Sequence, residues 1–223
     1  AVFGGLMGAS GLASVMGDAQ SGTTWSDAAA TVKKSLLTLL WSAEKGSFIK
    51  SINRRVDERE CRKALERGDP EAALSAPGSV CNYHAVTDYR QDIALLGICF
   101  PFSVLPPDDM KMQATAESIA GALGNSAAGG LLRYEGDAYA GGNPWVLATL
   151  WMSLYQALLG RREKALEYLH WAERNASPTG LLPEQVGRDR GGPAWVLPLV
   201  WSHAMYILAS RALRGQPSIM NDR

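Results

Sequence analysis

Leu132–Trp151 reads LRYEGDAYAGGNPWVLATLW, a stretch dense in polar chemistry that turns abruptly apolar. Arg133, Tyr134, Glu135, Asp137 and Tyr139 crowd its first half, Gly141-Gly142 makes a turn, and Asn143-Pro144 precedes an apolar run. Asparagine is a preferred helix N-cap and proline is at home in a first helical turn. The spacing therefore predicts a polar loop ending sharply on a buried helix from Pro144 to Leu158. Loops of this kind, carried on a rigid scaffold, commonly hold binding groups.

Working outward, helices apolar all round alternate with helices apolar on one side. Residues 2–16 place Val2, Phe3, Leu6, Met7, Leu12, Val15 and Met16 around most of a helix, which predicts a buried one. After a turn at Ser21–Thr24, a helix from Ser26 or Asp27 to about Ala43 has Lys33 and Lys34 on its wet side. Ile93–Phe100 is again apolar all round and is stopped by Pro101, while Met110–Leu123 is apolar on one side and ends at Gly124. Arg161–Arg174 is amphipathic, and Ala194–Leu208 is a last apolar helix after a loop containing Leu181-Leu182-Pro183-Glu184-Gln185. Residues 44–90 interrupt the pattern. They hold an extended piece at Phe48–Ile52, a short charged helix over Asp57–Arg67 and an irregular excursion over Ala72–Tyr89. An all-round apolar helix needs neighbours on every side, whereas a one-sided helix needs only an inner partner. Repeating that pair makes an all-α fold of two concentric layers, an α/α toroid, here with about four inner and three outer helices.

Composition excludes several function classes. The chain has 22 basic and 22 acidic residues and no basic block, which argues against nucleic acid and against an anionic membrane surface as partners. Cys61, Cys81 and Cys99 form neither a disulfide framework nor a zinc site, and His84, His170 and His203 lack ligand spacing. Neither a metal site nor a cofactor is expected. The uncharged stretch Ala1–Gly17 lacks the basic start of a signal peptide and is short for a membrane span. With no disulfide framework or signal peptide, a cytoplasmic location is expected, and a start at alanine suggests that something upstream was removed.

In order and spacing, RYEGDAYAGGNPWVLATLW, GLLPEQ and WVLPLVWSHA resemble glycoside hydrolase family 15, the glucoamylase-like enzymes, with further support from DIALLGICFPFSVLPPDD. The likeness is weak over Ala1–Arg90 and strong over Asp92–Ser210. It implies an (α/α)6 barrel that hydrolyses α-glucosidic bonds from non-reducing ends with inversion, acting on an α-glucan or α-glucoside oligosaccharide. Inversion needs one carboxyl to protonate the leaving oxygen and another to activate water on the opposite ring face. By resemblance, Glu184 is that general base. Read alone, it is equally a loop glutamate in a surface ion pair. Arg133 matches an arginine that binds sugar hydroxyls, although a pair with Glu135 or Asp137 is the alternative. Asp137 reads as holding the loop. Tyr139 and Trp201 match aromatic residues at the glucose pocket, and Trp145 stands between pocket and core, with Trp151 on the core side.

The family's general acid lies ahead of the helix matching residues 2–16, and the arginine–aspartate pair that grips the terminal glucose lies further upstream. Neither has a counterpart here. Asp18, Asp92 and Glu135 are the acids that could substitute, without any supporting motif. Residues 1–223 therefore read as the C-terminal part of a single catalytic domain, with about seven of twelve helices, 44–90 as an excursion, and the N-terminal part of the domain as its partner. The isolated chain is expected to be inactive. The competing readings are a non-catalytic helical domain that binds carbohydrate or protein and, within the family, a trehalase or glucosyltransferase.

Overall fold

The computed structural model describes residues 1–66, 68, 84–124 and 126–215. Their architecture is predominantly helical, with α1 at Val2–Val15, α2 at Ala19–Leu39, α3 at Glu58–Glu66, α4 at Met110–Leu123, α5 at Val146–Leu158, α6 at Arg162–Arg174 and α7 at Val200–Leu213. This is an arc of an α/α toroid. α1 packs along α2, and α5 packs against both α6 and α7, which also touch each other. Among the described residues, no helix is long and apolar enough to cross a membrane.

α5 is the helix most nearly surrounded. Val146–Leu150 and Met152–Gln156 are buried, and the hydroxyl groups within that span find partners, whereas the Gln156 side-chain oxygen has none. The Ser153 hydroxyl donates to the Ala165 carbonyl at 2.7 Å, and the Tyr155 hydroxyl donates to the Pro107 carbonyl at 2.8 Å. Burial pushes the Tyr155 phenol well above its ordinary value, so it remains a donor. Trp151 lies against the core and donates its indole N–H to the Phe100 carbonyl at 3.0 Å.

Several boundaries differ from those the sequence suggests. α2 begins at Ala19, not near Ser26, because the Asp18 carboxylate accepts the Ser21 N–H and caps it. Thr23 and Thr24, read as a turn, return their hydroxyls to the Ala19 and Gln20 carbonyls and so remain helical. Ile93–Ile98 is a 3₁₀ segment capped by Asp92, so it is not one of the inner α-helices. Asn143 does not cap α5, which starts at Val146 after an extended Trp145. α7 starts at Val200 and not at Ala194, since the residue before Pro198 is driven away from helical backbone.

α1 departs most from expectation. Of its residues only Ala13 is buried, while Val2, Met7, Leu12 and Val15 are exposed. Small residues let α1 approach α2 closely, with the Ser10 hydroxyl donating to the Gly22 carbonyl at 2.8 Å. Gly4 leaves room for the Phe102 ring. The opposite side of α1 is bare apolar surface.

The excursion at 44–90 is more ordered where described. β1 at Trp41–Ser42 pairs with β2 at Ser47–Phe48, and β3 at Ser51–Val56 pairs antiparallel with β4 at His84–Asp88, part of the region expected to be irregular. Residues 69–83, including Cys81, lie outside the described residues. Two further short strands, β5 at Gln185–Val186 and β6 at Pro193–Ala194, form the third pair.

Gly130 leads the chain from α4 into the Arg133 loop. Its φ is +74°, and a Cβ there would meet the Trp171 ring at 2.3 Å. Gly130→Ala is therefore expected to cost more than the ~1–2 kcal/mol of left-handed strain alone. Gly136→Ala, at φ +76° with nothing within 4 Å, should cost only that strain. Urea unfolding of both variants checks the difference, and equal midpoints would contradict it.

Candidate active site

The site begins where four extended segments meet. Leu131 pairs with Trp145, Trp145 with Gln185, and Gln185 with Ala194 of β6. The Trp145 N–H donates to the Leu131 carbonyl at 2.8 Å, and the Leu131 N–H donates to the Thr149 hydroxyl at 2.9 Å. The Val146 N–H, one of the α5 donors that no helical carbonyl reaches, is met by the Glu184 carbonyl at 3.1 Å. The backbone of Glu184 is thereby fastened to the helix that ends the Arg133 loop.

Asn143, displaced from the capping role, ties these loops together. Its amide N–H donates to the Ala140 carbonyl at 3.0 Å and to Gln185 Oε1 at 3.1 Å, and its carbonyl oxygen accepts the Arg188 N–H at 3.1 Å. On the far side, Arg133–Glu135 pairs with Gln91–Ile93: the Ile93 N–H donates to the Arg133 carbonyl and the Glu135 N–H to the Gln91 carbonyl.

Arg133 forms a two-pronged pair with buried Asp137, its Nε donating to Oδ2 at 3.1 Å and its Nη2 to Oδ1 at 3.2 Å. Burial works against the Arg133 charge, but the Asp137 carboxylate outweighs it and holds the guanidinium charged. Of the two alternatives for Arg133, the ion pair is present, and Asp137 is its partner. Asp137 also accepts the Tyr139 N–H at 3.0 Å, so it fixes the loop. The guanidinium has donors left over, and it lies among rings, 4.4 Å from the Trp145 centroid, 4.9 Å from Tyr134 and 5.5 Å from Tyr139.

Tyr139 lies 5.9 Å from Trp145 between ring centroids and the same distance from Trp195, edge to face. Arg133, Tyr139 and Trp145 are thus one cluster. Trp145 is buried, and its indole N–H finds no partner. Trp201 is not brought into this cluster. It lies exposed in the first turn of α7, whose start is tied to the Glu184 loop by the Ser202 hydroxyl on the Pro183 carbonyl at 2.7 Å. His203 accepts the Leu182 N–H there at 3.1 Å, a structural role.

Glu184 is half-buried, and its Oε2 is buried without a hydrogen-bond partner. Desolvation pushes its carboxyl above the ordinary value, with Arg133 pulling in the opposite direction. Among the described residues, Arg133 is the only charged group that shifts it. A carboxyl that burial raises while a nearby guanidinium lowers it is a candidate for proton transfer. The other acids have structural work. Asp18 caps α2, Asp92 pairs with Lys50 at 2.7 Å and caps the 3₁₀ segment, and Glu135 accepts the Gln91 N–H at 2.7 Å. Among the described residues, no group of three or more His, Cys, Asp or Glu side chains could hold a metal ion. Cys61 and Cys99 are buried, and burial pushes the Cys99 thiol up to about 11.

Trp195 escaped the sequence reading. It lies in an apolar run, WVLPLVW, that resembles the start of a helix, and nothing in that run marks its backbone as unusual.

No family model matches the chain. It is 36% identical over 134 residues to an uncharacterized glycosyl hydrolase of Methanocaldococcus jannaschii, covering 54% of this chain and 22% of that protein. It is 32% identical over 142 residues to an isomaltose glucohydrolase of Kribbella flavida, covering 59% of this chain and 36% of the relative. The chain thus spans little more than a third of the length of the curated relatives it matches, at most. In fold it matches a bacterial glucoamylase complexed with acarbose at a TM-score of 0.73 and 20% identity, covering 96% of this chain and 32% of that one. A glycoside hydrolase family 15 glucoamylase from Hypocrea jecorina matches at 0.60 and 18% identity, covering 98% and 41%. The fold is that of the glucoamylase-like glycosidases, and the likeness in sequence to glycosidases extends over more than half the chain.

The raised carboxyl of Glu184 has a consequence for stability. A folded-state pKa above the unfolded value of about 4.3 favours the protonated form in the fold. Its contribution is present below that unfolded value and is lost as pH rises through the folded one. Glu184→Gln, uncharged throughout, should gain stability relative to the parent between pH 4 and pH 7. Paired urea midpoints at the two pH values check this; a constant difference would contradict it.

Proposed function

We propose that this chain supplies the general-base half of an inverting α-glucosidase site, with Glu184 as the base and Arg133, Tyr139 and Trp145 as one wall of the sugar pocket. The carrying observation is Glu184 itself. Its carboxyl is raised by burial and opposed by Arg133, its Oε2 is unpartnered, and its backbone is fastened to α5. In the reaction, Glu184 takes a proton from water as that water attacks the anomeric carbon. Arg133, held by Asp137, keeps donors for sugar hydroxyls, and the Tyr139 ring, backed by buried Trp145, offers an apolar face to the sugar. The names of the relatives support an α-glucoside substrate, since one is an isomaltose glucohydrolase and another is a glucoamylase bound to acarbose.

The acid that protonates the leaving oxygen comes, in this proposal, from residues outside this sequence. Two observations support this. No second carboxylate among the described residues acts on Glu184, and apolar side chains lie exposed along α1 and at Val200, Trp201 and Ile207 of α7. Exposed apolar surface of this kind marks a contact face. We assign it to the N-terminal part of the same (α/α)6 domain, of which residues 1–223 would be the C-terminal part and residues 44–90 an excursion. Trp201 would then line the pocket from α7, facing the second half.

A purified chain of residues 1–223 should release no glucose from maltose or isomaltose. Joined to the acid-bearing part, it should release glucose, and Glu184→Gln should lower that rate by roughly 10²–10⁴-fold. Glucose release by the isolated chain would contradict the divided site, and an undiminished rate in the Gln variant would remove Glu184 from the chemistry.

A further inference from the structure

β5 and β6 run antiparallel, with Gln185 opposite Ala194 and Val186 opposite Pro193. The same register would set Glu184 opposite Trp195. Instead, the Glu184 N–H donates to the Val196 carbonyl at 2.8 Å. Trp195 is therefore one residue too many on its side, a one-residue bulge directly across from Glu184. Bulges of this form re-aim a side chain, and the bulged position in left-handed backbone is ordinarily glycine.

Here it is a tryptophan at φ +62°. Left-handed backbone at a bulky residue is strained and persists only where the surroundings enforce it. The main chain on both sides of Trp195 is pinned to Gln185 and to Glu184, which supplies that enforcement. Burial does not compensate for the strain, because Trp195 is 63% exposed. What the conformation achieves is placement. The indole N–H donates to the Tyr139 hydroxyl at 3.1 Å, and the two rings meet edge to face. Tyr139 in turn borders Trp145 and the Arg133 guanidinium.

We infer that Trp195 is a specificity-determining sugar platform of the Glu184 site, taking the outer ring of an α-linked disaccharide. This rests on the sugar-pocket reading above. Trp145 is buried at the inner end of the cluster and Trp195 exposed at the outer end, with Tyr139 between them. An indole whose N–H is already committed presents a fixed, pre-oriented face, which is what stacking on a pyranose needs. The outer sugar is the part that distinguishes one linkage from another. The residue therefore acts on which disaccharide is held, and Glu184 on what happens to it.

The test is NMR titration with isomaltose of the chain joined to the acid-bearing part, carrying Glu184→Gln to prevent turnover, alongside the same protein with Trp195→Gly, Trp195→Phe or Arg133→Ala. Glycine suits the left-handed backbone, so Trp195→Gly should melt at or above the parent temperature while binding isomaltose roughly tenfold more weakly. Trp195→Phe keeps a ring but loses the bond to Tyr139 and should fall between. A Trp195→Gly variant that binds as tightly as the parent would overturn the inference. If Arg133→Ala nevertheless loses binding, the sugar pocket stands without Trp195. If the joined parent binds no isomaltose, both the platform and the pocket are refuted.

Discussion

The first turn of a helix has main-chain N–H groups that its own carbonyls cannot reach, and at α5 one of them, Val146, is met by the carbonyl of Glu184 at 3.1 Å. That bond makes a loop residue part of a rigid body. α5 is held by α6, α7 and the 3₁₀ segment at Ile93–Ile98, so the Glu184 backbone inherits the rigidity of the best-packed helix in the chain. The Leu131–Trp145–Gln185–Ala194 ladder extends the constraint sideways, and Asn143 cross-links the two loops beside it. Charge is arranged within this frame. Asp137 spends its carboxylate on Arg133 and the Tyr139 N–H, leaving Arg133 oriented among three rings and close enough to oppose the burial of Glu184.

The bare apolar surface follows from the same architecture. α5 has helices on two sides and is buried, whereas α1 has α2 on one side and little on the other. α7 resembles α1 in leaving Val200, Trp201 and Ile207 exposed. In a closed toroid every inner helix would be treated as α5 is, and these two are not. In the proposed divided site, the Glu184 carboxyl, which feels one fixed cation and no second acid among the described residues, belongs with the bare faces of α1 and α7.

Much of this was legible in sequence. The periodicity of Met110–Leu123 and the apolar run after Asn143 located α4 and α5 closely, because in both the hydrophobic pattern and the breaker residues agree. Arg133 and Tyr139 are marked by the resemblance to glycoside hydrolase family 15, with Trp145 left between pocket and core, and the ion-pair alternative for Arg133 is present with Asp137. What could not be read depended on contacts distant in sequence. Asn143 has the chemistry of an N-cap, but Gln185 and Arg188, some forty residues on, claim its side chain. The exposure of α1 could not be inferred from its residues, since an all-round apolar helix reads the same with or without neighbours. Trp195 was hidden because backbone strain leaves no mark in composition; only the register of β5 against β6 reveals the extra residue.

Burial raises the Glu184 carboxyl while Arg133 holds it down. Titration of carboxyl-¹³C-labelled glutamate by NMR, in the parent chain and in Arg133→Leu, measures both effects on one atom. The parent Glu184 should titrate above an ordinary glutamate, and the Arg133 variant should move it higher still. A Glu184 that titrates like an exposed glutamate, and does not respond to the loss of Arg133, would contradict the account.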